Sequence, residues 1–466
     1  MAAAAAVAPI PSAPAPTTPT LERDRDVVAR RVHAPSVPQH PFMAPNGSSL
    51  LHEDAWQTDV SRRPGPRGRS PVVTSTLLGR ECASVTFDSR GRIVTVCVGL
   101  DLPRLLVMDP RTLEVLGALD LPPRALGPGD GLTNFTGGGY FFLDDRDRAV
   151  VPTATRHLVV VRVGADAALT VERDVDLSGA VPEGDGIISA LPDWDGRLWF
   201  VSRLGVVGTV DRSTGRVRTV RLEPNGNSFA VGEHGDVYIV TDAAVRRLRA
   251  GAGGRPRVVW RRRYDNTGVR KPGQTQAGSG TTPTLTRRWV AITDNADPMT
   301  VVVLRRADGR RVCAQPVFGR GRGSTDQSLI GAGRSFVVEN NFGYLGPASV
   351  AGGRSSRPGL ARVDVDRDGR GCSVRWVSPE RAPSVVPKLS APTGLLYTYA
   401  KPHGLPDDPW YLTALDWRTG RTAFRVMAGA GALFNNHYAP ITIGPAGTAY
   451  VGVLGGLVAV RDGARP

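Results

Sequence analysis

Short apolar strands separated by polar turns recur from Pro71 to the end of the chain, and helical periodicity is nearly absent. The repeating unit is a polar loop, an apolar strand, a tight turn, a second apolar strand, and then two further strands. Aligned on the turn between the first two strands, it reads SVTFDSRGRIVTV from Ser84, YFFLDDRDRAVVP from Tyr140, SALPDWDGRLWFV from Ser189 and SFAVGEHGDVYIV from Ser228. It returns as PTLTRRWVAIT from Pro283, SLIGAGRSFVV from Ser328, PKLSAPTGLLYTY from Pro387 and PITIGPAGTAYVG from Pro440. These starts lie 39 to 59 residues apart, close to the roughly 40 to 50 residues of a propeller blade.

The pattern therefore predicts an all-β protein: a closed β-propeller of eight four-stranded blades over residues 71–466. Seven blades is the alternative, because the second unit fits the pattern least well. The eighth unit stops after its third strand, GGLVAVRD, whereas VVTSTLLG from Val72 is a strand with no partner in the first unit. Placing that strand in the last blade closes the ring and removes two open edges. Residues 1–70 are rich in Pro, Ala and Arg without sustained periodicity, so they are expected to be a disordered tail. Their opening, MAAAAAVAPIPSAPAPTTPT, reads either as the remnant of an export signal or as a plain tail.

The outer strand pairs share a turn signature, as in LLVMDPRTLEVLGALDL from Leu105, VVGTVDRSTGRVRTVRL from Val206 and YLTALDWRTGRTAFRV from Tyr411. Each has Asp, two residues, then Thr, followed in two of the three by Gly, which adopts positive φ at no steric cost. The tracts ALDWRTGRTAF, VDRSTGRV and MDPRTLEV resemble the repeat of the quinoprotein-type (PQQ-like) β-propellers. That resemblance implies the architecture for most of the chain. Quinone-binding members carry adjacent cysteines over the PQQ; the cysteines here, Cys82, Cys97, Cys313 and Cys372, are nowhere adjacent.

Composition adds constraints. The net charge is +15, but arginine is scattered and often alternates with valine, as from Arg216 to Arg221, which reads as the solvated side of a strand. No nucleic-acid partner is expected. No stretch approaches the roughly 18 apolar residues of a membrane helix, so no membrane span is expected. Cys82 and Cys97 flank a hairpin turning at Ser89 and Arg90, and that register sets them opposite one another. They read either as a cross-strand disulfide, which fits a secreted or cell-envelope protein, or as two buried thiols. Cys313 and Cys372 fall in different blades and suggest no pairing.

In a blade, the loop leading into the first strand and the loop between the second and third strands emerge on one face. Polar residues gather there, whereas turns such as SRG, DWDG and EHG occupy the other. The carboxylates Glu81, Asp294, Asp326 and Glu339 are the expected ligands of a Ca²⁺ ion, which takes oxygen donors. Asn134, Asn227, Asn295, Asn340, Lys401 and Asn436 are the expected ligand-binding set, and His437 and Lys388 the candidates for proton transfer. The set is similar by type to that of the six-bladed gluconolactonase- and paraoxonase-type lactonases, which bind Ca²⁺ in the channel; the resemblance implies a lactonase-type or oxidoreductase activity on a small polar molecule. The alternative is a non-catalytic binding or scaffolding propeller with an envelope protein partner. The long loops 341–358 and 401–410 are expected to overhang this face. No GxSxG, HExxH, GxGxxG or P-loop motif is present.

Overall fold

The computed structural model describes residues 19–99, 102–124, 134 and 136–463. Among the described residues there are eight sheets, seven of four antiparallel strands and one of six that includes a parallel pair. They are the eight blades of the propeller, in the sequence and with the first strands expected. The first strand of each blade lines the central channel, from Glu81–Phe87 in blade 1 to Ile441–Ile443 in blade 8.

The burial pattern explains why the repeat is legible. Middle strands are covered on both faces by neighbouring blades and read as continuous apolar runs, such as Leu198–Ser202 and Thr300–Arg305. Outermost strands meet solvent and mix arginine into the pattern, as in Val217–Arg221 and Pro256–Arg263. The Asp-x-x-Thr signature is hairpin chemistry. Asp211 Oδ1 accepts from the Ser213 and Thr214 amides at 3.0 and 2.8 Å, and Asp109 Oδ1 does the same for Arg111 and Thr112 at 2.8 and 2.7 Å. The next residue is left-handed in all three turns: Gly215 at φ 72°, Gly420 at φ 71° and, where glycine is missing, Leu113 at φ 62°.

The strand Pro71–Leu77 is the outermost strand of blade 8, paired antiparallel with Gly456–Asp462 from Pro71↔Asp462 to Leu77↔Gly456. Ring closure thus joins the two ends of the propeller by a continuous ladder. Cys82 and Cys97 sit opposite each other, as the register required, and are disulfide-bonded. A second disulfide joins Cys313 to Cys372 and staples the outermost strands of blades 5 and 6. Nothing in the spacing of these two cysteines announced it, because their proximity is created by the stacking of separate blades.

The expected tail requires correction. Residues 1–18 lie outside the described residues, but residues 19–70 are built into the propeller. Leu21–Arg23 adds a strand outside blade 7, pairing with its outermost strand, and Val60–Ser61 pairs in parallel with the innermost one. Between them the chain crosses the turn face and enters the channel. There its carbonyls accept from innermost-strand amides of six blades: Ser48 from Phe87, Ser49 from Leu143, Ala55 from Val231, Trp56 from Leu285, Thr58 from Gly331 and Asp59 from Leu389, at 2.8 to 3.0 Å. Innermost strands have one unpaired edge, and buried amides demand acceptors. The segment supplies them by its backbone, so its side chains need no strand periodicity.

Removing residues 1–80 deletes both the plug and the closing strand. Scanning calorimetry of that truncation is expected to show no single cooperative transition; an unchanged transition would refute this account of closure. Peptide mapping without reduction is expected to recover Cys82–Cys97 and Cys313–Cys372 as linked pairs, and four alkylated thiols in freshly isolated protein would contradict it.

Candidate functional site

The plug closes the channel from the turn face and leaves a cavity of about 340 Å³ open to the other face. Leu51 and His52 of the plug line it, together with residues of the leading loops: Arg80, Glu81 and Ala83 of blade 1, Asn134 and Tyr140 before blade 2, and Asn227 before blade 4. Thr275 and Asp326–Ser328 add the side of blades 5 and 6, and Val386, His437, Tyr438 and Pro440 that of blades 7 and 8. The lining mixes apolar and aromatic surface with a few polar groups, the composition of small-molecule sites.

Glu81 is buried and accepts a 3.1 Å hydrogen bond from the His437 amide. Burial pushes its carboxyl up to about 8, against the smaller opposing effects of that bond and of Arg124. Arg124 is itself held in place by donating to the Asn134 and Gly99 carbonyls, both at 2.8 Å. Asp326 Oδ2 accepts from both the amide and the hydroxyl of Thr275 at 2.6 Å, while its buried Oδ1 has no hydrogen-bond partner among the described residues. Burial raises its carboxyl to about 7. Both carboxyls therefore carry protons into the neutral range. His437 directs Nδ1 to the Tyr344 hydroxyl at 2.7 Å. Tyr344 lies in the long loop 341–358, so that loop supports the site from behind.

Of the residues expected here, Glu81, Asn134, Asn227, Asp326 and His437 line the cavity. The others are engaged in hydrogen bonds within and between the loops and strands. Asp294 accepts from the Thr300 amide and hydroxyl at 2.7 and 2.6 Å. Glu339 accepts from Asn341 and Thr398, both at 3.0 Å, and burial raises its carboxyl well above the usual range. Asn295 donates to Asn266 and Val269, Asn340 to Arg322 and Pro358, and Asn436 to Ala439 and Gly452. Lys401 bridges to Asp408 at 2.7 Å and donates to the Arg354 carbonyl, tying the two long loops together. Thus the four carboxylates proposed for Ca²⁺ are not assembled into a common set of ligands, and among the described residues no three His, Cys, Asp or Glu side chains group to hold a metal.

Lys388 is fully buried beneath the cavity and does not line it. Its ammonium meets Asp59 at 2.6 Å and Glu53 at 3.8 Å and donates to the Leu51 carbonyl at 2.9 Å. The other oxygen of Asp59 takes His52 Nδ1 at 2.9 Å, and His52 Nε2 lies 3.4 Å from the hydroxyl of Ser328. His52, Asp59 and Ser328 were invisible as site residues because two belong to the supposed tail. One signal was available: no proline interrupts the chain from Asn46 to Arg63, in a region otherwise dense in proline.

No family model matches the chain. A protein of Archaeoglobus fulgidus described only as uncharacterised is 30% identical over 329 residues; the match covers 61% of this chain, which spans 63% of that relative's length. Among solved structures, a europium-containing methanol dehydrogenase superposes with a TM-score of 0.52 at 10% identity, over 87% of this chain and 89% of that one. BamB from Moraxella catarrhalis gives a TM-score of 0.48 at 11% identity, over 97% of this chain and 99% of that one. The eight-bladed β-propeller expected from the hairpin repeats is the fold of this chain.

The raised carboxyls carry a pH signature. A carboxyl with a raised folded-state pKa contributes stability that is fully present below its ordinary value of 4.5 and is lost as the pH climbs to about 8. The melting temperature is accordingly expected to fall across that window. In Glu81→Gln, which is neutral at every pH, the fall should be shallower; an identical slope in differential scanning fluorimetry would show that Glu81 ionises normally.

Proposed function

We propose that this propeller binds a small, uncharged molecule with an apolar body and a few hydrogen-bonding groups, in the cup formed by the channel mouth and the N-terminal plug. The observation that carries this reading is the plug itself. It converts an open channel into a blind cavity of about 340 Å³, of a size ordinary for small-molecule sites, which run from about 300 to 1,000 Å³. Apolar walls from Leu51, Val98, Val386 and Leu454 offer burial, and Asn227, Gln327, Thr275 and Asp326 offer polar partners. Carboxyls that hold their protons near neutrality donate hydrogen bonds and do not attract a cation, which favours an uncharged ligand.

Calcium has no part in this reading, since Asp294 and Glu339 are committed to Thr300, Asn341 and Thr398. The two disulfides support an oxidising compartment, the setting of a secreted or envelope protein.

A panel of uncharged esters, lactones and phenolic alcohols tests the reading by thermal shift. A binder is expected to stabilise the native state, by about 2.7 kcal/mol at a hundred times its Kd. The gain should vanish in Ala83→Phe, which places a ring at the cavity wall, and persist in the presence of EDTA. Stabilisation that survives Ala83→Phe would place the site elsewhere, and a gain abolished by EDTA would restore a metal.

A further inference from the structure

We propose that Ser328, His52 and Asp59 form a nucleophile, base and orienting carboxylate at the cavity floor, and that the chain cleaves small uncharged esters or lactones seated there. This rests on the cavity being a ligand site, as argued above.

The three residues come from parts of the chain that only the fold unites. Ser328 leads into the first strand of blade 6, and His52 and Asp59 lie on the plug, with 276 positions between the serine and the histidine. Ser328 and His52 both line the cavity; Asp59 is buried behind them. The hydrogen bond from His52 Nδ1 to Asp59, at 2.9 Å, keeps the proton on Nδ1 and leaves the Nε2 lone pair to face the Ser328 hydroxyl at 3.4 Å. That separation is at the long end of hydrogen bonding, as is common for nucleophile and base in the absence of substrate. The second oxygen of Asp59 is bound by Lys388, itself pinned to the Leu51 carbonyl, so the carboxylate cannot swing away from the ring.

A histidine that served only to anchor the plug is satisfied by Asp59 alone. Here the second ring nitrogen meets a cavity hydroxyl, which is the arrangement that activates a serine. The surroundings fit an acyl substrate without charge. Apolar walls would hold its body, and proton-bearing Glu81 and Asp326 can donate to its oxygens.

In the first step Ser328 Oγ forms a bond to the carbonyl carbon while its proton passes to His52 Nε2. Asp59 balances the imidazolium charge. Collapse of the tetrahedral adduct breaks the bond from carbonyl carbon to leaving-group oxygen, and that oxygen takes the proton from His52. The acyl-serine is then attacked by water, which gives a proton to His52. Release returns that proton to Ser328 and frees the carboxylic acid. No redox partner or metal is needed. Ser328 and His52 are the catalytic pair; Asp59 is a positioning residue, with Lys388 behind it. The other titratable groups around the histidine are Glu53 below, and Tyr140 and Asp326 on the cavity wall.

The full-length protein, incubated with diisopropyl fluorophosphate, is expected to carry one phosphoryl group on Ser328 by peptide mapping, and to hydrolyse p-nitrophenyl butyrate. Ser328→Ala should melt normally and lose both signals. His52→Gln should slow acylation by about 10²- to 10⁴-fold, the usual contribution of a positioned base. Asp59→Asn should slow it too and displace its pH profile, which a purely structural role would leave in place. An unmodified Ser328, or unchanged hydrolysis in Ser328→Ala, overturns the proposal. If uncharged ligands still raise the melting temperature of that unmodified protein, the esterase assignment fails and the binding reading stands. Labelling of Ser328 that Ala83→Phe does not impede would overturn the assignment of the cavity as its substrate site.

Discussion

The structure depends on hydrogen bonds between the innermost strands and a segment that is not part of any blade's own four-stranded repeat. A closed ring of blades still has an inner rim, and the amides along it need acceptors. The backbone of residues 48–59 crosses the channel and accepts from six blades at 2.8 to 3.0 Å. Those contacts tie the blades to one another through a common centre, in addition to the ladder that joins Pro71–Leu77 to Gly456–Asp462. They also close one end of the channel, and the cavity exists because of that closure.

Charge follows from the same arrangement. Drawing the plug into the channel buries Glu53, Asp59 and Lys388 together, at a cost that only close pairing offsets. Removing one partner would leave an uncompensated buried charge. Lys388 thus has a definite role, but a different one from proton transfer to a ligand: it holds Asp59, and through it His52, at the cavity floor. The ion pair of Lys388 and Asp59, both fully buried, thus lies directly beneath the cavity floor.

The loops of the face onto which the cavity opens divide by the same physics. Asp294 and Asn340 close their own turns by accepting from the Ala296 and Phe342 amides, whereas Asn295 and Asn436 donate to the carbonyls of Val269 and Gly452 in other segments. Residues of the same types at the channel side, Glu81, Asn227 and Asp326, border the cavity. Sorting by loop grouped Glu81, Asn134, Asn227, Asp326 and His437, which line the cavity, with residues that do not. It could not separate turn chemistry from site chemistry, because both use oxygen-bearing side chains next to an apolar strand.

The sequence by itself determined a closed propeller of eight blades, with seven as the alternative, together with the order of the blades, the closing strand and the opposition of Cys82 to Cys97. Each is set by local patterning, in which apolar runs between turns and the two-residue alternation of a hairpin are written into adjacent positions. Only the tertiary structure decided that Cys313 bonds to Cys372, that residues 19–70 belong to the fold, and that His52 meets Ser328. The plug is held through its backbone carbonyls, which every residue possesses, so no side-chain pattern marks it. The contacts between blades join positions far apart in the chain, and their meeting is a property of the closed ring.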